Sequence, residues 1–128
     1  MRSMGQFGVV VTFFPCAGGE PLRLEALVDT GSAYTIVPRS IFQTLGCATS
    51  RSQRVRLADG RGDEWPLALV EVECEGRRTV TPVLGAPPDA SVLLGVVTLE
   101  ELGLGIDPVS RRLVPVEFYQ AAAHVVTA

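Results

Sequence analysis

Apolar and polar residues alternate along much of this chain with the two-residue period of strands that bury one face. The clearest run is Leu22–Val28, where Leu22, Leu24, Ala26 and Val28 share a face and Arg23 and Glu25 lie opposite. Gly8–Phe14, rich in Val, Thr and Phe, predicts an N-terminal strand, and Cys16–Pro21 a turn after it. Tyr34–Val37 predicts a short strand. Arg39–Leu45 predicts two helical turns, with Ile41, Phe42 and Leu45 on the apolar side and Gly46 as the stop. Cys47–Ser52 reads as polar loop.

Further along, Gln53–Leu57 and Trp65–Cys74 predict the arms of a long hairpin. Its tip, Ala58–Glu64, is polar and carries Gly60 and Gly62. In the return arm Ala68, Val70, Val72 and Cys74 fall in one phase. Glu75-Gly76 is a second tight turn into Arg77–Leu84, where Pro82 marks an edge or a bulge. Gly85–Asp89, with Pro87-Pro88, reads as a rigid loop. Ser91–Gly95 predicts a short buried strand ending in glycine. Thr98-Leu99-Glu100-Glu101 has the spacing of a capping box. Leu99 and Leu102 share the face of a short helix that Gly103 ends. Leu104–Ile106 is extended, Asp107-Pro108 opens a turn, and Arg112–Tyr119 is the last strand. Residues 120–128 read as a loose C-terminal tail. Many short strands separated by turns predict an all-β, barrel-like fold with one or two short helices.

Composition narrows the class. The 128 residues are 47% hydrophobic and 20% charged, as in a compact domain with its own core. Net charge is −3, and the arginines are scattered as Arg51, Arg54, Arg56, Arg77-Arg78 and Arg111-Arg112. No basic patch interleaved with aromatics results, so no nucleic-acid partner is expected. Cys16, Cys47 and Cys74 form no CxxC pair and His124 stands alone, so no zinc or other metal site is expected. The odd cysteine count and the lack of a convincing signal peptide favour a reducing, cytoplasmic location. The apolar run Val9–Pro15 is too short to span a membrane.

The chemistry concentrates in Ala26–Pro38. An apolar strand ends at Asp29, a polar turn follows as Thr30-Gly31-Ser32, and apolar Ile36-Val37 leaves it. A carboxylate set between two buried segments must be paired or hydrogen-bonded. Thr30 and Ser32 supply hydroxyls, and Gly31 lets its own N–H approach the carboxylate. An ordinary hairpin turn has the same local composition, so the rest of the chain decides between the two.

Three blocks in order do so: Leu27-Val28-Asp29-Thr30-Gly31-Ser32, then Leu57-Ala58-Asp59-Gly60, then Leu93-Leu94-Gly95 through Leu99 and Leu102 to Ile106-Asp107-Pro108. With them the chain resembles the retropepsin-like single-domain aspartic proteases, in particular bacterial members, over residues 7–119. The resemblance implies a closed acid-protease β-barrel with a flap hairpin, acting as a homodimer on a peptide or protein substrate without a cofactor. It implies a catalytic role for Asp29, with Thr30 tying two active-site turns across the dimer axis. Gly31 and Ser32 would bond the carboxylate. It makes the hairpin a flap, with Asp59, Gly60, Arg61 and Gly62 at its tip and Trp65 on substrate or at its base. Many viral members carry an Arg after the second glycine as a dimer brace, whereas Val96 follows Gly95 here.

The chain contains a single Asp-Thr-Gly, and two carboxylates are needed, one as base and one as acid. The second is expected to be Asp29 of another copy related by a two-fold axis. The competing reading is a catalytically silent barrel that binds peptide or mediates dimerisation.

Overall fold

The computed structural model describes residues 6–117. Its strands are β1 (Phe7–Phe14), β2 (Leu22–Val28), β3 (Thr35–Pro38), β4 (Thr49–Arg56), β5 (Gly62–Cys74), β6 (Arg77–Ala86), β7 (Leu93–Leu94), β8 (Leu104–Asp107) and β9 (Arg112–Pro115). Two short helices, α1 (Arg39–Leu45) and α2 (Val96–Leu102), complete the fold. The main sheet has the order β1-β2-β7-β3-β6-β5-β4, and β1 also pairs with β5. That extra pairing, Thr12 to Glu73 through Phe14 to Glu71, returns the sheet to its first strand and closes the barrel. The last strand stops at Pro115, short of the expected Tyr119, and Val116 and Glu117 follow it outside any strand. Residues 118–128, with the expected tail, lie outside the described residues.

Alternation along each strand fills the barrel. Val11 and Phe13 of β1, Ala26 and Val28 of β2, and Ala68, Val70, Val72 and Cys74 of β5 are all buried. They form one core with Phe42 and Leu45 of α1 and Leu99 and Leu102 of α2. Phe13 is wholly inaccessible; truncating such a side chain to alanine costs about 3–5 kcal/mol. Each helix ends on a left-handed glycine, Gly46 at φ 64° and Gly103 at φ 70°, as expected of these stops. Arg77 adds a cap at the second end, donating from Nη1 to the Leu102 carbonyl at 3.0 Å.

β5 has two jobs along its length. Its second half is barrel wall between β1 and β6, while its first half pairs with β4 from Gly62–Arg56 to Ala68–Thr49 and leaves the barrel as a hairpin. Pro82 sits on β6 one residue before the pairing with β3 begins at Val83, where β6 still has a partner on one side only. An imino nitrogen is tolerated there, and the edge reading of Pro82 holds.

Several expectations are corrected. Thr49–Ser52 is strand rather than loop; its side chains are exposed, so no hydrophobic period marks it. Gly85 and Ala86 extend β6 because they pair with Val37 and Pro38. Thr98 does not cap α2: the helix starts at Val96 behind Gly95, and Thr98 is buried inside it. The odd cysteine count hides one bridge, since Cys16 and Cys47 form a disulfide and Cys74 is free and buried. A disulfide belongs to oxidising surroundings, so cysteine usage no longer argues for a reducing compartment. Among the described residues no helix is long and apolar enough to cross a membrane.

Candidate active site

The strands on either side of Asp29 do not pair with each other, so the hairpin alternative for this stretch is wrong. β7 lies between them, parallel to β2 through Leu27–Leu93 and Val28–Leu94, and antiparallel to β3 through Ile36–Leu93. The Asp29 turn therefore spans a strand that arrives from more than sixty residues downstream in the chain. Two apolar residues suffice for that strand because both its edges are paired.

Backbone bonds anchor the turn on this insertion. The Asp29 N–H donates to the Leu94 carbonyl at 3.1 Å, Val96 N–H to the Ser32 carbonyl at 2.9 Å, and Val97 N–H to the Ala33 carbonyl at 3.0 Å. The last two are amides of the first turn of α2, which have no partner inside the helix. Gly95 permits the approach: a Cβ there would lie 2.5 Å from the Tyr34 carbonyl carbon. No side chain fits in that space, which gives the glycine of Leu93-Leu94-Gly95 its physical reason.

Within the turn, Ser32 N–H closes onto the Asp29 carbonyl at 3.1 Å. Gly31 N–H donates to Asp29 Oδ1 at 2.9 Å. The carboxylate is half-buried, and its second oxygen is left for other chemistry. The Ser32 hydroxyl does not reach the carboxylate; it donates to the Tyr34 carbonyl at 2.7 Å. Thr30 is exposed, and its hydroxyl has no partner among the described residues.

The β4–β5 hairpin overhangs this turn. A cleft of about 450 Å³ runs from Gly31–Tyr34 to the inner face of the hairpin, with Ile36, Leu84 and Leu93 forming an apolar floor. Cross-strand pairing puts Gln53 opposite Trp65 and Val55 opposite Asp63 on a common face. Trp65 lines the cleft, and its indole N–H donates to Asp63 Oδ2 at 3.0 Å. Asp63 also accepts from the Glu64 amide at 2.8 Å. That amide first, and the indole second, hold its carboxyl below the ordinary aspartate value.

The hairpin tip is a tied turn. Gly60, at φ 88°, donates to the Leu57 carbonyl at 2.9 Å, and its own carbonyl accepts from Arg56 Nη1 at 2.8 Å. Asp59 accepts from the Arg61 amide at 3.0 Å and pairs with Arg61 Nε at 2.6 Å. Gly62 belongs to β5 rather than to the tip. Both carboxylate and guanidinium are more than half exposed, so this pair orders the tip locally and adds little stability.

Sequence reasoning missed a set of threonines beneath the turn. Thr35, Thr81 and Thr98 are fully buried, from β3, β6 and α2 respectively. Their hydroxyls meet at 2.6 Å (Thr35–Thr98) and 2.8 Å (Thr81–Thr98). The only signal available was a β-branched polar residue in each apolar run, which also suits an exposed strand face.

The sequence profile of the gag-polyprotein putative aspartyl protease family matches residues 18–101, well over half of the chain. The chain belongs to that family of aspartyl proteases and is retropepsin-like. No curated protein matches it. Among solved structures, it is similar to the EIAV protease complexed with the inhibitor HBY-793, with TM-score 0.58 and 21% identity over 77% of this chain and 88% of that one. It is also similar to the simian foamy virus (mac) protease in solution, with TM-score 0.53 and 17% identity over 73% of this chain and 92% of that one. At these identities the likeness establishes the fold, which is that of retroviral proteases.

Proposed function

We propose that this protein is a homodimeric aspartic endopeptidase whose active site forms when Asp29 of two copies meet. The observation that carries the reading is the turn itself. One carboxylate, oriented by the Gly31 amide at 2.9 Å, stands beside a cleft covered by a hairpin. It is half of a two-carboxylate site.

Two carboxylates within hydrogen-bonding distance share one proton, because ionising both is costly. The ionised Asp29 takes a proton from a water lying between the two. The water oxygen adds to the carbon of the scissile amide, while Asp29 of the second copy gives its proton to the carbonyl oxygen. The tetrahedral intermediate collapses as the C–N bond breaks and the amine leaves with a proton returned by the dyad. No covalent enzyme intermediate forms. Thr30, exposed beside the axis, is assigned to the contact between the two turns. Asp59–Gly62 and Trp65 are assigned to the flap over the substrate, with Ile36, Leu84 and Leu93 beneath it.

Mixing subunits tests the shared site. Titrating wild type with excess Asp29→Asn protein is expected to suppress cleavage as mixed dimers replace active ones. Activity that merely dilutes, with no suppression, assigns the chemistry to a single chain. Peptide bound by wild type without cleavage favours the silent binding barrel instead.

A further inference from the structure

A single peptide unit links Asp29 to the buried threonines. The peptide joining Leu94 to Gly95 is planar. Its carbonyl accepts the Asp29 N–H at 3.1 Å, and its N–H donates to Thr35 Oγ1 at 3.1 Å. From Thr35 the contacts continue to Thr98 at 2.6 Å, to Thr81 at 2.8 Å, and to Glu101 Oε1 at 2.6 Å.

The direction of the chain follows from proton counting. A hydroxyl has one proton to give, and a carboxylate only accepts. Thr81 gives its proton to Glu101, so Thr98 must donate to Thr81, and Thr35 to Thr98. Thr35 then offers a lone pair to the Gly95 N–H. Every hydroxyl proton is used, as three fully buried hydroxyls require. Donors aligned head to tail polarise one another, so the anion at one end strengthens each bond before it.

We propose that Glu101 is a positioning residue for Asp29. It acts through Thr81, Thr98 and Thr35 on the Leu94–Gly95 peptide, whose carbonyl holds the Asp29 amide in place. Glu101 is an exposed residue of α2 that does not line the cleft, and it touches nothing that reacts. Its replacement by an apolar residue removes the last acceptor. The threonine hydroxyls are then free to reverse, and the Gly95 N–H loses a fixed acceptor. The same chain accounts for a threonine at the third position of α2, where a core-facing apolar residue would otherwise pack.

Amide NMR of Glu101→Leu is the test, because an exposed substitution leaves a fold intact to within about half a kcal/mol when it plays no such part. The expected result is an upfield shift and faster solvent exchange of the Gly95 and Asp29 amide protons. Thr98→Val is expected to produce the same shifts and Thr98→Ser to restore the wild-type positions. In a peptidase assay, Glu101→Leu is expected to lower kcat about tenfold with KM unchanged, the pattern of a misplaced reacting group. That kinetic arm rests on the endopeptidase reading; the amide arm does not, so an inactive wild type still leaves the chain tested. Gly95 and Asp29 amide signals that coincide in folded Glu101→Leu and wild type overturn the proposal, and should Thr98→Val fail to fold, this comparison stands alone.

Discussion

The amide of Gly31 donates to Asp29 Oδ1 at 2.9 Å, and a Cβ built at position 31 would lie 3.2 Å from that same oxygen. The glycine is therefore favoured by proximity to the carboxylate, which a methyl group would displace by a few tenths of an ångström, rather than by an unusual φ. Gly31→Ala should push the carboxylate aside while leaving the barrel folded. A hydrogen bond to a charged group is worth about 1.5–3 kcal/mol. Its loss is expected to lower kcat/KM by about 10- to 100-fold, measured on any cleaved peptide alongside an unchanged circular dichroism spectrum.

Trp65 is the only tryptophan of the chain, so its emission reports on the hairpin. Its indole is held by Asp63, whose carboxyl is kept low by the Glu64 amide and then by the indole itself. A depressed value means that the contact is intact above the ordinary aspartate range and is lost as pH falls through the lowered value. Acid titration should shift Trp65 emission with a midpoint below that ordinary range. Asp63→Asn should abolish that step and start from the altered spectrum at neutral pH.

The disulfide joins Cys16, after β1, to Cys47, after α1, across 31 residues. A loop of that length is worth about 3–4 kcal/mol by the chain-entropy relation. Reduction should therefore lower the melting temperature with the barrel still folded in the cold. Burial first, and Glu75 second, push the Cys74 thiol up to about 11. Thiol titration at pH 8 should find no reactive group in the native oxidised protein. It should find one per chain in denaturant, and three after reduction, the full cysteine count of the sequence.

The Glu75-Gly76 turn has both central residues at positive φ, 52° and 75°. This geometry suits Asn-Gly and strains glutamate. Glu75→Asn is expected to stabilise the fold by about 0.5–1 kcal/mol, seen as a raised urea midpoint with an unchanged slope.

The hairpin arms, the Leu22–Val28 strand and both helix stops were legible because one-sided burial and αL glycines leave local marks. The Asp29-Thr30-Gly31-Ser32 turn is different: its local composition also fits an ordinary hairpin, and only the later blocks of the chain, Leu93-Leu94-Gly95 among them, set it apart. What escaped depends on contacts distant in sequence. Leu93-Leu94 reads as a buried strand, but nothing in it says that it separates β2 from β3. Thr98 reads as a cap because its spacing to Glu101 imitates one; its partners, Thr35 and Thr81, lie 63 and 17 residues away. Cys16 and Cys47 carry no spacing rule that pairs them. Thr49–Ser52 forms strand through backbone pairing alone, on the exposed outer arm of the hairpin.

The most direct measurement is peptide-library cleavage between pH 4 and 7 by wild type beside Asp29→Asn, with both proteins shown to be folded. Cleavage by wild type and its complete loss in Asp29→Asn is the predicted result. Equal cleavage by the two proteins, or none by a folded wild-type dimer, would contradict it.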